Sequence, residues 1–108
     1  MISFDDFKKL NIKIGTIVSA ERVPDTDKLI RLMVDVGEEE SRQILSGIAE
    51  YTDCDSLVGK KFPFVINLEP RVIRGLESNG MILAVSSDDG LFSFLEPSSD
   101  IPAGSSIQ

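Results

Sequence analysis

The chain has 108 residues and a formal net charge of −7, and its length predicts one domain over residues 1–108. It has no histidine and one cysteine, Cys54, which excludes Ser–His and Cys–His nucleophile pairs, a disulfide within the chain and a structural zinc site. No apolar run approaches the length of about 18 residues that a membrane-spanning helix needs, and so few cysteines indicate the cytoplasm.

The first predicted elements are a short helix and a long, bent strand. Ser3 can accept hydrogen bonds from the free amides of a helix that follows it, and Asp5 and Asp6 favour the positive end of that helix. Residues 12–23 favour a strand. The spacing of its inward-facing apolar residues changes at Gly15, which indicates that the strand bends there.

The next two predicted strands form a hairpin. In residues 29–36 the apolar side chains alternate with polar ones, so this strand has one buried face. Gly37 and three glutamates predict the solvated tip of the hairpin, and residues 43–48 predict the third strand. Residues 53–58, which a glycine follows, predict one or two turns of helix.

The remaining predicted elements are three short strands and the loops between them. Residues 62–67 and 80–85 predict the fourth and fifth strands, and residues 91–95 predict a sixth. The intervening residues 68–79 are rich in turn-forming residues and arginine, which predicts a loop. The segment that begins at Pro97 has little capacity to pack by itself.

The order of these elements favours one fold. Three strands, a short helix and two further strands, with a long bent first strand, match an all-β protein. We expect a five-stranded Greek-key barrel of the oligonucleotide/oligosaccharide-binding (OB) type, with the short helix between strands three and four and with extra terminal elements. A generic β-sandwich fits less well, because of the position of the helix.

Positive charge is concentrated where such barrels bind ligands. Residues 1–74 hold all eleven basic and thirteen acidic residues, whereas residues 75–108 hold five acidic and no basic ones. OB barrels bind ligands on strands two and three and in the adjoining loops. Five cations fall in these regions: Lys28, Arg31, Arg42, Arg71 and Arg74. Such side chains bind the phosphates of nucleic acids, and arginine also stacks on bases.

The residues by themselves leave two alternatives open. Arg31 and Arg42 could instead pair with Asp35 and with the glutamates at 38–40. The acidic C-terminal third could dock a protein partner or a nascent polypeptide, so that the chain would be a protein–protein module. An enzyme is not expected, because the sequence offers no nucleophile, general base or set of metal ligands. Nothing in it indicates a cofactor.

Four segments resemble, in order, the motifs of the tRNA-binding domain family. They are residues 6–18 (DFKKLNIKIGTIV), 23–29 (VPDTDKL), 42–49 (RQILSGIA) and 67–81 (NLEPRVIRGLESNGM). The resemblance covers about residues 3–107. Members of this family include the C-terminal appendage of methionyl-tRNA synthetase, free-standing homodimers that bind tRNA, and related export chaperones.

The resemblance implies an OB barrel that forms homodimers, holds tRNA by its shape and catalyses no reaction, with an aminoacyl-tRNA synthetase as a further partner. It implies RNA contacts at Lys28, Arg42, Arg71, Arg74, Ser78 and Met81, to which the phase of the second strand adds Arg31. A folded tRNA can be held through phosphates and 2′-hydroxyls with little readout of sequence. The alternative that the family offers is a chaperone-like interaction module of the same fold.

Overall fold

The computed structural model describes residues 1–108 as one short helix and nine strands. The elements are α1 Phe4–Phe7, β1 Ile12–Arg22, β2 Ile30–Asp35, β3 Arg42–Ser46, β4 Lys61–Val65, β5 Arg71–Ile73, β6 Leu76–Ser78, β7 Met81–Ile82, β8 Ala84–Ser86 and β9 Phe92–Phe94. Ser3 caps α1 as predicted, since its Oγ accepts a hydrogen bond from the amide of Asp6 at 3.1 Å. With four residues, α1 is far too short to cross a membrane.

Five antiparallel strands form one sheet in the order β3-β2-β1-β4-β7, which curves into a nearly closed barrel as β3 approaches β7. The first half of β1, residues 12–16, pairs with β4, and the second half, residues 16–22, pairs with β2. Gly15 lies at the crossing, where an added Cβ would come within 2.6 Å of Val34 Cγ1 and 2.8 Å of Phe64 Cδ1. These features confirm the OB-type barrel and its bent first strand.

The hydrophobic core fills the inside of this barrel. Ile30, Leu32 and Val34 alternate along β2 and are all fully buried, which confirms the predicted phase of this strand. The rings of Phe62 and Phe64 on β4 are equally buried and occupy the same cluster. Each such side chain contributes about 1.5 to 3 kcal/mol through its removal from water.

The helix predicted over residues 53–58 is wrong, because a run of turns joins β3 to β4. The amide of Leu57 donates to the carbonyl of Cys54 at 3.1 Å, and that of Lys60 donates to Leu57 at 3.0 Å, both across three residues. Asp53 Oδ1 accepts the amide of Ser56 at 2.9 Å. This bond has the geometry of a helix N-cap, as at Ser3. The segment does not continue as a helix, because the amide of Gly59 donates to the carbonyl of Ile17 on β1 at 2.8 Å and not to a carbonyl within the segment.

The strand predicted over residues 80–85 is divided into β7 and β8, and Pro63 explains the break. The amide of Leu83 donates to the carbonyl of Pro63 at 3.0 Å. Proline has no amide to return the second bond of that pair, so the ladder between β4 and β7 stops. β8 then leaves the barrel and pairs with β9 in a separate two-stranded sheet.

The loop predicted over residues 68–79 contains a hairpin, and the segment after Pro97 packs on the barrel. Strands β5 and β6 pair in the register Arg71↔Ser78 to Ile73↔Leu76. The C-terminal segment runs beside β1, where the amide of Ile107 donates to the carbonyl of Ile12 at 2.9 Å. Neither pairing follows from the local sequence, because each depends on a partner that the fold provides.

Candidate nucleic-acid interface

The hairpin β5–β6 presents two arginines to solvent. Arg71 lies on β5, and Arg74 lies with Gly75 in the two-residue loop, at backbone φ angles of 54° and 79°. Positive φ at both central residues is the requirement of the type I′ turn, which fits the twist of a two-stranded hairpin. Both arginines are exposed and neither forms an ion pair. Their guanidinium groups are therefore available to an anionic ligand.

Lys28 lies beside this hairpin. It lines an open cleft together with Arg74, and Asp25 and Asp27 form part of the same wall. The Lys28 Nζ lies 3.7 Å from Glu50 Oε1, and both side chains are largely exposed. An exposed ion pair of this kind contributes little, so Lys28 can exchange its partner for a phosphate at small cost.

Arg31 lies in a second cleft beside the hairpin. It lines a cleft with Arg22 of β1 and Leu76 of β6, and it forms an ion pair with Glu21. The predicted alternative partner, Asp35, instead accepts the amide of Gly37 at 2.8 Å. The cleft thus holds two arginines and one carboxylate.

Arg22 is a cation of this surface that the sequence analysis missed. It is the last residue of β1, and its Nη2 donates to the carbonyl of Ala49 at 3.3 Å. One signal was present: Arg22 directly precedes the turn at residues 23–27, which leads to Lys28. The register of β1 shifts at a bulge between Ile17 and Ser19. The alternation of side chains along β1 therefore does not show on which face of the sheet Arg22 lies.

Arg42 is committed to contacts within the chain. Its Nε and Nη2 donate to the carboxylate of Glu38 at 2.7 and 2.9 Å, and its Nη1 donates to the carbonyls of Ile66 at 2.7 Å and Asn79 at 3.1 Å. The hydrogen bond from Arg42 lowers the pKa of Glu38, and the hydrogen bond to Glu38 raises the pKa of Arg42. For Arg42, therefore, the structure matches the alternative of pairing with the glutamates at 38–40.

Ser78 is also used internally. It is 5% exposed, and its Oγ accepts the amide of Leu45 at 3.0 Å and lies 3.3 Å from the carbonyl of Gly80, to which it donates. The hydroxyl is thus used within the chain, and the RNA contact at this position stays a prediction. Ser78 instead joins the end of the hairpin to β3.

Met81 lies on β7, two residues after Asn79, whose carbonyl accepts from Arg42. It pairs with Val65 at the edge of the sheet, and its side chain is 43% exposed. Of the seven predicted positions, the structure brings four cations around the hairpin: Lys28, Arg31, Arg71 and Arg74. No group of three or more acidic or cysteine side chains is arranged to hold a metal ion.

Comparison with known proteins gives a consistent family match. A family model described as "Putative tRNA binding domain" matches residues 12–106. The chain is 43% identical over 107 residues to a methionine–tRNA ligase of Porphyromonas gingivalis, and 46% identical over 108 residues to that of Methanococcoides burtonii. Each match covers 99% of this chain and 16% of the relative, so the chain spans about one sixth of the length of these relatives.

Solved structures match over the whole chain. A MetRS related protein from Pyrococcus horikoshii superposes with a TM-score of 0.93 at 37% identity, over 100% of this chain and 98% of that one. The chaperone CsaA from Bacillus anthracis superposes with a TM-score of 0.88 at 30% identity, over 100% and 99% of the two chains. The fold described above is thus shared with both proteins.

Proposed function

This chain belongs to the tRNA-binding domain family, and from that membership we propose that it holds tRNA through the cations around hairpin β5–β6. The matched family is a tRNA-binding domain and not a catalytic one. The observation that carries the proposal is that Arg71 and Arg74 project from this hairpin without an ion-pair partner. The proposed role is to bind and retain tRNA, with no chemical step.

The binding mode that we propose is recognition of shape through the backbone of the RNA. Lys28 and Arg74 line one cleft, and Arg31 lines another beside Leu76, so cations line two clefts next to the hairpin. Guanidinium groups bind phosphate through two parallel hydrogen bonds, which fixes orientation as well as affinity. Contacts to phosphates position a nucleic acid without reading its sequence.

The wider role that we propose is in translation, in the cytoplasm, as an accessory that increases the hold of a synthetase on its tRNA. The relatives are methionine–tRNA ligases of which this chain covers about one sixth. A module of this size can act as an attached domain or as a separate subunit. In either arrangement the module would raise the effective concentration of tRNA at the synthetase, because a tRNA that it holds can rebind before it diffuses away.

We further propose a homodimer, with α1 and the C-terminal segment as the contact face. Phe4, Phe7, Leu10, Ile12 and Ile107 line one groove, and Phe4 is 71% exposed. A concentrated apolar surface of this kind marks an interaction site. Two copies would present two arginine hairpins to one tRNA.

The test of the proposal is the double variant Arg71→Ala/Arg74→Ala. We expect its affinity for bulk tRNA to fall by about tenfold or more at low salt, and the dependence of log K on log salt to fall by about 1.4 to 1.8, since two phosphate contacts are lost. The control Lys60→Ala removes a cation from an exposed position that lines neither cleft beside the hairpin, and it should bind as the parent does. Equal losses in both variants, or no loss, would contradict the proposal.

A second candidate function is a chaperone-like interaction with polypeptides, which the full-length superposition on the chaperone CsaA favours. This candidate predicts binding of an unfolded client protein that added tRNA does not displace. It also predicts that Arg71→Ala/Arg74→Ala binds the client as well as the parent does. The two candidates are thus separated by the same variant.

A further inference from the structure

We propose that Gln43 is a positioning residue for RNA binding. Through its side-chain amide it holds hairpin β5–β6 against β3 and thereby fixes the place of Arg71 and Arg74. This inference rests on the proposed function, because it concerns how the arginines of that site are held. Gln43 itself carries no charge and is not expected to touch a phosphate.

The hairpin needs support from outside. Strands β5 and β6 have three residues each and form a sheet of their own, which shares no ladder with the five-stranded sheet. A two-stranded hairpin of that size is at best marginally stable in water. The direction in which Arg71 and Arg74 point therefore depends on what attaches the hairpin to the barrel.

Four hydrogen bonds attach it, all to β3. The amide of Leu45 donates to Ser78 Oγ at 3.0 Å, the amide of Asn79 donates to the carbonyl of Gln43 at 2.8 Å, and Arg42 Nη1 donates to the carbonyl of Asn79 at 3.1 Å. The fourth runs from Gln43 Nε2 to the carbonyl of Glu77 at 2.8 Å. Of the four, this last bond reaches furthest along β6 towards the tip.

The orientation of the Gln43 amide is dictated by its two neighbours. Arg31 Nε donates to Gln43 Oε1 at 2.6 Å, and a guanidinium can only donate. The carbonyl of Glu77 can only accept, so it must face the amino group of Gln43. A flipped amide would lose both bonds, and the side chain is therefore held in one arrangement.

These contacts form a continuous network across four strands. Glu21 on β1 binds Arg31 on β2, Arg31 binds Gln43 on β3, and Gln43 binds the carbonyl of Glu77 on β6. Arg31 is thus placed to act on the hairpin through Gln43, in addition to any contact of its own with RNA. The network connects the barrel surface to hairpin β5–β6 by hydrogen bonds that the sheet ladders do not supply.

The test is a double-mutant cycle with bulk tRNA as the probe. Gln43→Met keeps the length of the side chain and removes both hydrogen bonds. We expect affinity to fall by about three- to tenfold, and the dependence of log K on log salt to fall by about 0.7 to 1.8, although no charge has been removed. In the Arg71→Ala/Arg74→Ala background the same substitution should change affinity by less than about twofold, because the groups that Gln43 positions are absent.

The outcomes separate the roles of Gln43. A loss of affinity that is equal in both backgrounds would show that Gln43 contacts RNA or supports the whole fold, and it would overturn the inference. No loss in the parent background would overturn it as well. If Gln43→Met does not fold, Gln43→Thr takes its place in the cycle, since it is neutral, suits a strand, and is too short to reach Arg31 and Glu77. If Arg71→Ala/Arg74→Ala binds tRNA as the parent does, the proposed function itself fails, which distinguishes the two failures.

Discussion

Arg74 adopts a backbone conformation that is uncommon for arginine. Its φ of 54° lies in the left-handed region, which glycine and asparagine occupy at lower cost. Type I′ hairpins favour Asn-Gly at their two central positions, which Arg74 and Gly75 occupy here. Backbone strain of this kind is found at functional sites, and here it falls at the exposed cation that the proposed function uses.

We predict that Arg74→Asn separates stability from binding. Asparagine tolerates the left-handed conformation, so the variant should be as stable as the parent or more stable by up to about 1 kcal/mol, measured by denaturant unfolding. Its affinity for tRNA should nevertheless fall, because the cation is gone. Arg71→Asn should give no gain in stability, because Arg71 lies on strand β5 and has no positive φ. A destabilised Arg74→Asn would contradict this account of the turn.

Individual side chains show what the sequence could and could not predict. Arg71 and Arg74 have fewer acidic neighbours in the sequence than Arg31 and Arg42 have, and in the structure they form no ion pair. The partner of Arg31 was not predictable locally. Glu21 is ten residues away and becomes its neighbour only through the register of β1 and β2.

At the scale of elements, Arg42, which forms an ion pair with Glu38, joins the β2–β3 hairpin to two other segments of chain. Arg42 also donates to the carbonyls of Ile66 and Asn79, which lie after β4 and β6 respectively. The hydrogen bond from Arg42 lowers the pKa of Glu38 below its ordinary value of 4.5. A carboxylate whose folded-state pKa is lowered stabilises the fold above its unfolded pKa, and this stabilisation is lost as the pH falls through the folded pKa.

We therefore predict that Glu38→Gln weakens the acid sensitivity of the protein. Between about pH 5 and pH 3 the melting temperature of the parent should fall more than that of the variant, because only the parent must protonate this paired carboxylate. The pKa values of Asp53 and Asp100 are lowered as well, so part of the acid sensitivity remains. Glu39→Gln, which removes a neighbouring carboxylate without an ion pair, should behave as the parent. An equal fall in melting temperature at low pH for the parent and for Glu38→Gln would contradict the prediction.

The elements differ in how far their own residues specify them. The alternation along β2 predicted its buried face, because one side of that strand always meets the core. The division of residues 80–85 could not be predicted, since it depends on Pro63 in a strand that is distant in sequence. The hairpin within residues 68–79 escaped prediction for a related reason: its strands are short and rely on β3 for support.

For the whole molecule, the net charge of −7 opposes the approach of a polyanion, and the local cluster of cations must overcome it. Exposed charges farther apart than about 8 to 10 Å are largely screened at physiological salt, whereas direct contacts between cation and phosphate persist. A single copy offers few such contacts. The proposed dimer would double the number of contacts between cations and phosphates, and the resulting avidity would strengthen the binding of tRNA.

We predict that Phe4→Ser converts a dimer into monomers. Phe4 is 71% exposed in the chain described here, so its loss should leave the fold intact and remove apolar area only from the proposed contact face. Light scattering should show half the mass, and affinity for tRNA should fall by about tenfold or more through lost avidity. Leu91→Ser is the matched control, because Leu91 is 68% exposed but lies outside that groove. A parent that is monomeric at all concentrations would contradict the dimer.

The pairing of the C-terminal segment with β1 brings residues 12 and 107 into direct hydrogen-bonded contact. The C-terminal segment therefore covers the edge of β1 that β2 leaves free, since β2 pairs only with residues 16–22. An uncovered strand edge can pair with a strand of another chain, so this arrangement closes the barrel to such additions at that edge.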